Sequence, residues 1–338
     1  VRLVLVAVAM LVLHAPAIAS DNQNDCLLNA LKTMEQNKSE IAAAVSLCNE
    51  NNFDCGIIER YGVAAVPAIM EKFKIESLPE NAGEYLFVEY RKFIVENFKG
   101  KIISKAIETM PPEKSCLTGE RRNFKFEKVF KDDDPNSPED NKLTIGDFFD
   151  SLRSTYKMEG FYFAQITPEL EPPKPFAMDN ACAYEVIQKF LLGLDNEYMA
   201  IEFDNIVIFT HVFKIPYYLY YLNVYIDKKQ FPEDGVFTCS FRNAISLVII
   251  DLIRRNAGFS NNLPRDGERG YINMSASMNT IDAMRLLLAC VEKDFTIKGA
   301  NFELRDLDKR KVIALLLKID PNIRKLVERW REIAAQKK

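Results

Sequence analysis

Seven cysteines are the side chains of this sequence best equipped for chemistry: Cys26, Cys48, Cys55, Cys116, Cys182, Cys239 and Cys290. No two of them stand as C-x-x-C, the spacing of a thioredoxin-type dithiol or of half a zinc ribbon. Cysteines serve redox and metal chemistry inside the cell and form disulfides outside it. One pairing can be argued. Residues 25–48 carry a helical period, which sets Cys26 and Cys48 ~33 Å apart at ~1.5 Å per residue and forbids a bond between them. Cys48 and Cys55 flank NENNFD, a polar stretch able to return the chain, so Cys48–Cys55 is the expected bridge. Closing so short a loop contributes roughly 2–3 kcal/mol. The odd count leaves one thiol free or one bridge between molecules.

Other chemistry is sparsely provided. The two histidines are His14 and His211. Once an N-terminal leader is removed only His211 remains, so a serine or cysteine nucleophile would have to use it alone, and a His-rich zinc site lacks ligands. His211 stands between Thr210 and Val212 in an apolar run and reads as a core residue. Asp132-Asp133-Asp134, with Glu139 and Asp140, lacks the glycine of an EF-hand loop, and Pro135 breaks the spacing. It reads as a solvated loop. No metal or cofactor is expected. Nothing singles out two carboxylates for hydrolysis of the glycosidase type. The densest aromatic group is Tyr217, Tyr218, Tyr220, Tyr221 and Tyr225. On a helix 217, 221 and 225 share a stripe, with 218 beside it. A buried tyrosine body with a free hydroxyl suits an interface, so Tyr217, Tyr218, Tyr221 and Tyr225 form the expected interaction patch; a core helix is the alternative.

The elements that would carry these groups read as helices. Apolar spacing marks 25–48, about 67–75, a long helix from Leu86 to Ile107 through Gly100, Ile145–Tyr156, a helix after Asp179 or Asn180, and 205–226, broken at Pro216. It also marks Phe237–Ile253, Thr280–Val291, Leu304–Ile319 and Pro321–Ala335. Residues 120–130 leave room for a strand. The expectation is an all-α, multi-helix, disulfide-bonded fold, with two helical subdomains at 20–130 and 143–338. The acidic stretch 131–142, KDDDPNSPEDNK, would link them. The segment 301–338 holds eleven Lys/Arg against six acids and reads as two amphipathic helices docked on an acidic remainder.

Composition and leader set the compartment. The 338 residues are 48% hydrophobic, enough for a large core, and only 13 are glycine. A formal charge of −4 argues against nucleic acid as a partner. Residues 1–19 pair Arg2 with an apolar run, Leu3–Leu13, and an Ala17-Ile18-Ala19 cleavage pattern, a secretory signal peptide too short to span a bilayer. No transmembrane segment is expected in the mature chain. In a secreted chain the sequons at Asn37 and Asn273 are glycan acceptors.

The leader, the odd cysteine set, an all-helical body of this length and the opening DCLLNALKTMEQNKSEIAAAVSLCNENNFDCGIIERYG together resemble the secreted 34 kDa salivary family of mosquitoes. The resemblance implies a non-enzymatic extracellular protein that acts during blood feeding by binding host proteins or cells, or mouthpart components. It supplies no catalytic residues. Protein–protein binding is therefore the first functional reading. A carrier of lipid or another small apolar ligand is the second, and a secreted carboxylate-dependent hydrolase the third.

Overall fold

Residues three and four apart put Met34, Ile41 and Val45 on one stripe of the first helix, and the stripe is buried. Lys38 interrupts it. Its aliphatic stem allows it to lie there, with the ammonium 4.7 Å from the Trp330 ring centroid and donating to the Trp330 carbonyl at 2.7 Å. The computed structural model describes residues 25–98, 100–109, 115–127, 143–158, 160–165, 174–194, 198–204, 206–226, 236–260 and 271–336. The leader and the acidic stretch 131–142 lie outside them.

The N-terminal part is helical: α1 (Asp25–Leu47), α2 (Gly56–Tyr61), α3 (Val66–Lys72) and α4 (Glu80–Phe98). No basic residue stands in the last turn of α1. Lys72 of α3 supplies the charge instead, donating to the carbonyls of Val45, Ser46 and Cys48 at 2.9, 2.7 and 2.6 Å. The helix expected to run on to Ile107 stops at Phe98. Gly100 adopts a left-handed φ of 69°, and Ile102–Ser104 becomes strand β1.

From here the all-α expectation fails. The remaining order is β2 (Arg122–Phe126), α5 (Ile145–Tyr156), β3 (Gly160–Gln165), β4 (Phe176–Ala181), α6 (Ala183–Leu192), β5 (Tyr198–Phe203) and β6 (Ile206–His211). Then come α7 (Ile215–Asn223), β7 (Val236–Ile245), α8 (Ser246–Asn256), β8 (Tyr271–Asn279), α9 (Thr280–Val291), β9 (Lys293–Lys298), β10 (Asn301–Asp306), α10 (Lys309–Ile319) and α11 (Pro321–Ala335). Six strands form one mixed sheet in the order β1-β5-β6-β3-β8-β7; β2 with β4 and β9 with β10 form two-stranded ribbons. β5 and β6 are an antiparallel hairpin in register Tyr198↔His211 to Phe203↔Ile206, and β1 joins β5 in parallel. Every residue of β5 and β6 is buried, so neither shows an alternating pattern. Only the half after Pro216 is the expected helix, with the proline in its first turn.

The sheet separates two cores. On one face Ile103, Met199, Ile201, Ile208 and Met274 pack under α4 and α7–α10. On the other, Ile102, Ala200, Val207 and Phe209 meet α5, α6 and the β2–β4 ribbon. The first core draws on residues from Met34 to Trp330, and β1 pairs with a strand from beyond the acidic stretch. The two expected subdomains therefore share a sheet and a core. The basic C-terminal helices dock on the N-terminal ones, α10 on α4 and α11 on α1 and α3, and α10 also packs on α7. Ion pairs Arg329–Glu35 (2.6 Å), Lys318–Glu76 (3.5 Å) and Lys309–Glu84 (3.0 Å) line that junction.

The disulfide expectation also fails. Among the described residues Cys26, Cys48, Cys55, Cys182, Cys239 and Cys290 are free thiols; the side chain of Cys116 lies outside the description. NENNFD does turn the chain, with Asn49 and Asn52 bridged. Its two sulfurs face different partners. Cys48 Sγ donates to the Ala44 carbonyl and accepts from the Asp54 amide, both at 3.5 Å, while Cys55 Sγ accepts from Asn81 Nδ2.

Asp320 joins α10 to α11 and is fully buried. It caps α11 by accepting from the Asn322 amide at 2.8 Å, and accepts from Tyr90 Oη at 2.8 Å. Burial raises its carboxyl above the usual range, against the hydrogen bonds that lower it. A folded-state pKa above the unfolded one contributes stability in acid, and that contribution is lost as pH rises through the folded pKa. Asp320→Asn keeps a good cap and removes the buried charge, so its stability should fall within about 1 kcal/mol of the parent. Its standing relative to the parent should improve as pH rises from the carboxylate range to neutrality. Asp320→Ala loses the cap and strands the Tyr90 hydroxyl, at a cost of about 2 kcal/mol. Urea unfolding at acidic and neutral pH measures both.

Candidate functional site

A concave surface rich in ionisable groups forms where four elements end or begin. Leu78-Pro79 turns the chain into α4, so Glu80 and Glu84 stand on its first turns. α9 stops at Val291 because Glu292 takes a left-handed φ of 54°, and β9 starts at once with Lys293. The β9–β10 ribbon returns through Gly299 (φ 60°) and brings Asp306 opposite Lys293. The Leu307 amide then donates to the Glu292 carbonyl at 3.2 Å, and Asp308 caps α10 by accepting from the Arg310 amide at 2.9 Å. These segments enclose an open cleft of about 430 Å³.

Its lining includes the largely buried Tyr217 of α7, whose ring lies 5.3 Å from Phe87 of α4. Along the walls each cation is matched. Lys293 pairs with Asp306, Lys309 Nζ lies 3.0 Å from Glu84, and Arg310 Nη2 lies 2.9 Å from Asp308. Lys214 pairs with Glu292. Arg310 also donates to the Leu78 carbonyl at 3.0 Å, and its stem crosses Gly83 so closely that a Cβ there would meet Arg310 Cγ at 2.4 Å. The hydrogen bond from Lys293 holds the Asp306 carboxyl below its usual range, and that from Arg310 does the same for Asp308. These carboxylates are fixed negative charges over the neutral range.

The expected tyrosine patch does not form. Tyr217 is 4% exposed, and Tyr218 and Tyr221 are equally buried. Tyr218 Oη donates to Tyr162 Oη at 3.2 Å inside the first core, and Tyr221 Oη donates to the Lys293 carbonyl. Tyr225, 82% exposed, lies beyond the end of α7. The helix directs its tyrosines inward because it packs against both α9 and α10. Only Tyr217 reaches the cleft.

His211 ends β6. Its Nδ1 accepts from the Phe213 amide at 3.2 Å, and its ring lies between those of Tyr198 and Phe213. Phe213, half exposed, carries the Arg91 guanidinium at 4.5 Å, beside the cleft but outside its lining. Four of the thiols are held protonated. Burial, with Glu96 beside it, pushes Cys26 up to about 12; burial alone raises Cys239 to about 11, and burial also raises Cys55 and Cys290. Among the described residues two carboxylates are buried, on opposite sides of the sheet. Asp320 faces the first core through Tyr90, and Glu202, accepting from Ser115 Oγ at 2.8 Å, alternates onto the second. Among the described residues no three His, Cys, Asp or Glu side chains gather as a metal site would require, and no helix is long and apolar enough to cross a membrane. Asn37 lies in α1, its Nδ2 donating to the Thr33 carbonyl at 2.8 Å; Asn273 lies in β8, paired with Phe163. A second cleft of about 210 Å³ lies between Asn97, Ile107 and Pro321.

Most of the cleft residues escaped the sequence reading, because they come from separate elements. The one local sign is Asp308, a capping residue placed directly before a helical period. No protein-family model, curated protein or solved structure matches this chain.

Proposed function

We propose that the chain is a non-catalytic binding protein that works outside the cell through contacts with another protein, using the charged cleft. The observation that carries this reading is the state of the cleft's carboxylates. A general acid needs a carboxyl raised toward neutrality, whereas Asp306 and Asp308 are held low by cations. Charges fixed in place by ion pairs serve recognition and orientation. The cleft is open and charged rather than a sealed apolar chamber, which favours a macromolecular partner over a carried lipid. The extracellular part of the proposal rests on residues 1–19 alone. The salivary resemblance loses one of its supports, the all-helical body.

Affinity capture on the full chain, from extracellular extracts of source and host, tests the proposal. The expected result is a retained protein that, once purified, re-forms a stoichiometric complex with Kd below about 1 µM. Turnover of a glycoside, ester or peptide substrate that disappears on neutralising two acids would overturn it, as would a lipid co-purifying in equal amount.

A further inference from the structure

The two ends of the six-stranded sheet are finished differently. At one end β1 is only three residues long, Ile102 and Ile103 are fully buried, and Thr109 bridges Ile103, so the chain covers its own edge. The β9–β10 ribbon guards its edges with charge, from Lys293, Asp294 and Lys298 on one strand and Glu303, Arg305 and Asp306 on the other. At the far end of the sheet, β7 has neither device over Val236–Phe241. This segment contains no charged residue and no proline, and its ladder to β8 runs unbroken until the bulge between Phe241 and Ala244. Among the described residues no strand pairs with its outer side. We propose that two copies of this chain pair there, β7 against β7 and antiparallel about a two-fold axis at Cys239, and join their sheets into one.

The pattern of the strand selects a second copy as the occupant. Val236, Thr238 and Ser240 are exposed on one face, whereas Phe237, Cys239 and Phe241 alternate onto the other and are only partly buried, at the open margin of the first core. The rings of Phe237 and Phe241 stand 6.3 Å apart on that face. In a two-fold antiparallel pair, residues directly opposite share a face. Pairing about Cys239 sets Phe237 of one copy opposite Phe241 of the other, and Thr238 opposite Ser240. Aromatic then meets aromatic beside the core, and hydroxyl meets hydroxyl outside it. A two-fold axis also brings like charge against like, and Val236–Phe241 has none to repel its copy. The helix beside the strand favours the same occupant. α8 follows β7 without a break, packs against it, and exposes Val248 and Leu252 one turn apart, at 63% and 45%. An extended peptide from another protein would fill the strand edge and leave this stripe bare; a second copy brings its own α8.

Sedimentation velocity of the full chain in reducing buffer, from about 1 to about 100 µM, tests this directly. A concentration-dependent dimer is expected, and hydrogen exchange of the 236–245 amides should slow over the same range. The double substitution Thr238→Lys/Ser240→Lys changes two exposed side chains and sets lysine opposite lysine across the axis. It should raise the dimer Kd roughly tenfold or more. Leu252→Lys tests the same contact from the helix without touching the sheet and should raise it about threefold. Leu47→Lys, at an apolar side chain 86% exposed on α1 and outside the sheet, should change it less than about twofold. Circular dichroism confirms that each variant is folded. A chain that stays monomeric at the highest concentration overturns the proposal. So does a dimer indifferent to the β7 and α8 substitutions, or one weakened as much by Leu47→Lys. A monomer whose β7 amides become protected only when a captured protein is added overturns it in favour of a strand supplied by that protein. The cleft takes no part in this pairing, so either result leaves the binding reading to its own test.

Discussion

Arg254→Ala should destabilise the protein by about 3 kcal/mol, seen as a lower urea midpoint with an unchanged slope. Arg254 is only 1% exposed, among the largest fully buried side chains of the molecule. It lies on α8, where its Nε and Nη2 donate to Asp251 at 3.1 and 2.6 Å and its Nη1 donates to the Phe259 carbonyl at 3.0 Å. The last bond ties down the turn through Gly258 (φ 84°) that carries the chain off the helix. Truncation leaves a large cavity and strips that carbonyl of its donor. The loss stays at the low end of the range for a broken buried pair because Asp251 keeps Arg255 at 2.7 Å. Arg255→Ala, at a side chain 58% exposed, should cost no more than about 0.5 kcal/mol. Equal effects of the two substitutions would show that Arg254 is not buried as described. Arg254→Met, which refills the volume without a charge, should recover part of the loss.

The places where sequence reading succeeded and failed share one physical cause. A helix with one buried stripe announces itself, and α1, α5, α9 and α11 lie where the 3.6-residue period sets them. A strand buried on both faces does not. Ile206–His211 runs without a break into the apolar residues of α7, so that 205–226 reads as one buried helix interrupted at Pro216. β8 is a different case. Ile272, Met274, Ala276 and Met278 alternate with Asn273, Ser275 and Ser277, a period of two that is legible in the sequence. In β7, Phe237, Cys239 and Phe241 alternate in the same way, but the apolar residues of α8 follow without a break and absorb the strand into a longer helix. The cleft was illegible for another reason. Glu80, Glu292, Asp306 and Asp308 become neighbours only through the packing of α10 on α4 and the return of the β9–β10 ribbon, and neither leaves a local signature.

The turn at Asn49–Asn52 returns the backbone as its polar sequence suggests, yet Cys48 and Cys55 remain free thiols. Cys48 is engaged by the Ala44 carbonyl and the Asp54 amide, and Cys55 by Asn81 on α4. A bridge requires a specific geometry as well as proximity, and spacing in the sequence carries only the second.

Phe148→Ala should be the most damaging single truncation in the second core, at about 4 kcal/mol. Phe148 is completely buried on α5 and stacks on Phe190 of α6 with ring centroids 3.6 Å apart and planes 9° from parallel. It meets Phe124 and Phe126 of β2 edge-on at 5.9 and 5.6 Å. One side chain thus joins both helices to the ribbon that covers that face of the sheet, and its removal forfeits burial, ring contacts and shape together. Phe148→Leu keeps most of the volume and should cost about half as much. Phe213→Ala, at a ring 50% exposed, should cost less than about 1 kcal/mol. Urea unfolding of the three variants measures this order, and a loss from Phe213→Ala as large as that from Phe148→Ala would show that Phe148 does not join the two helices to the ribbon.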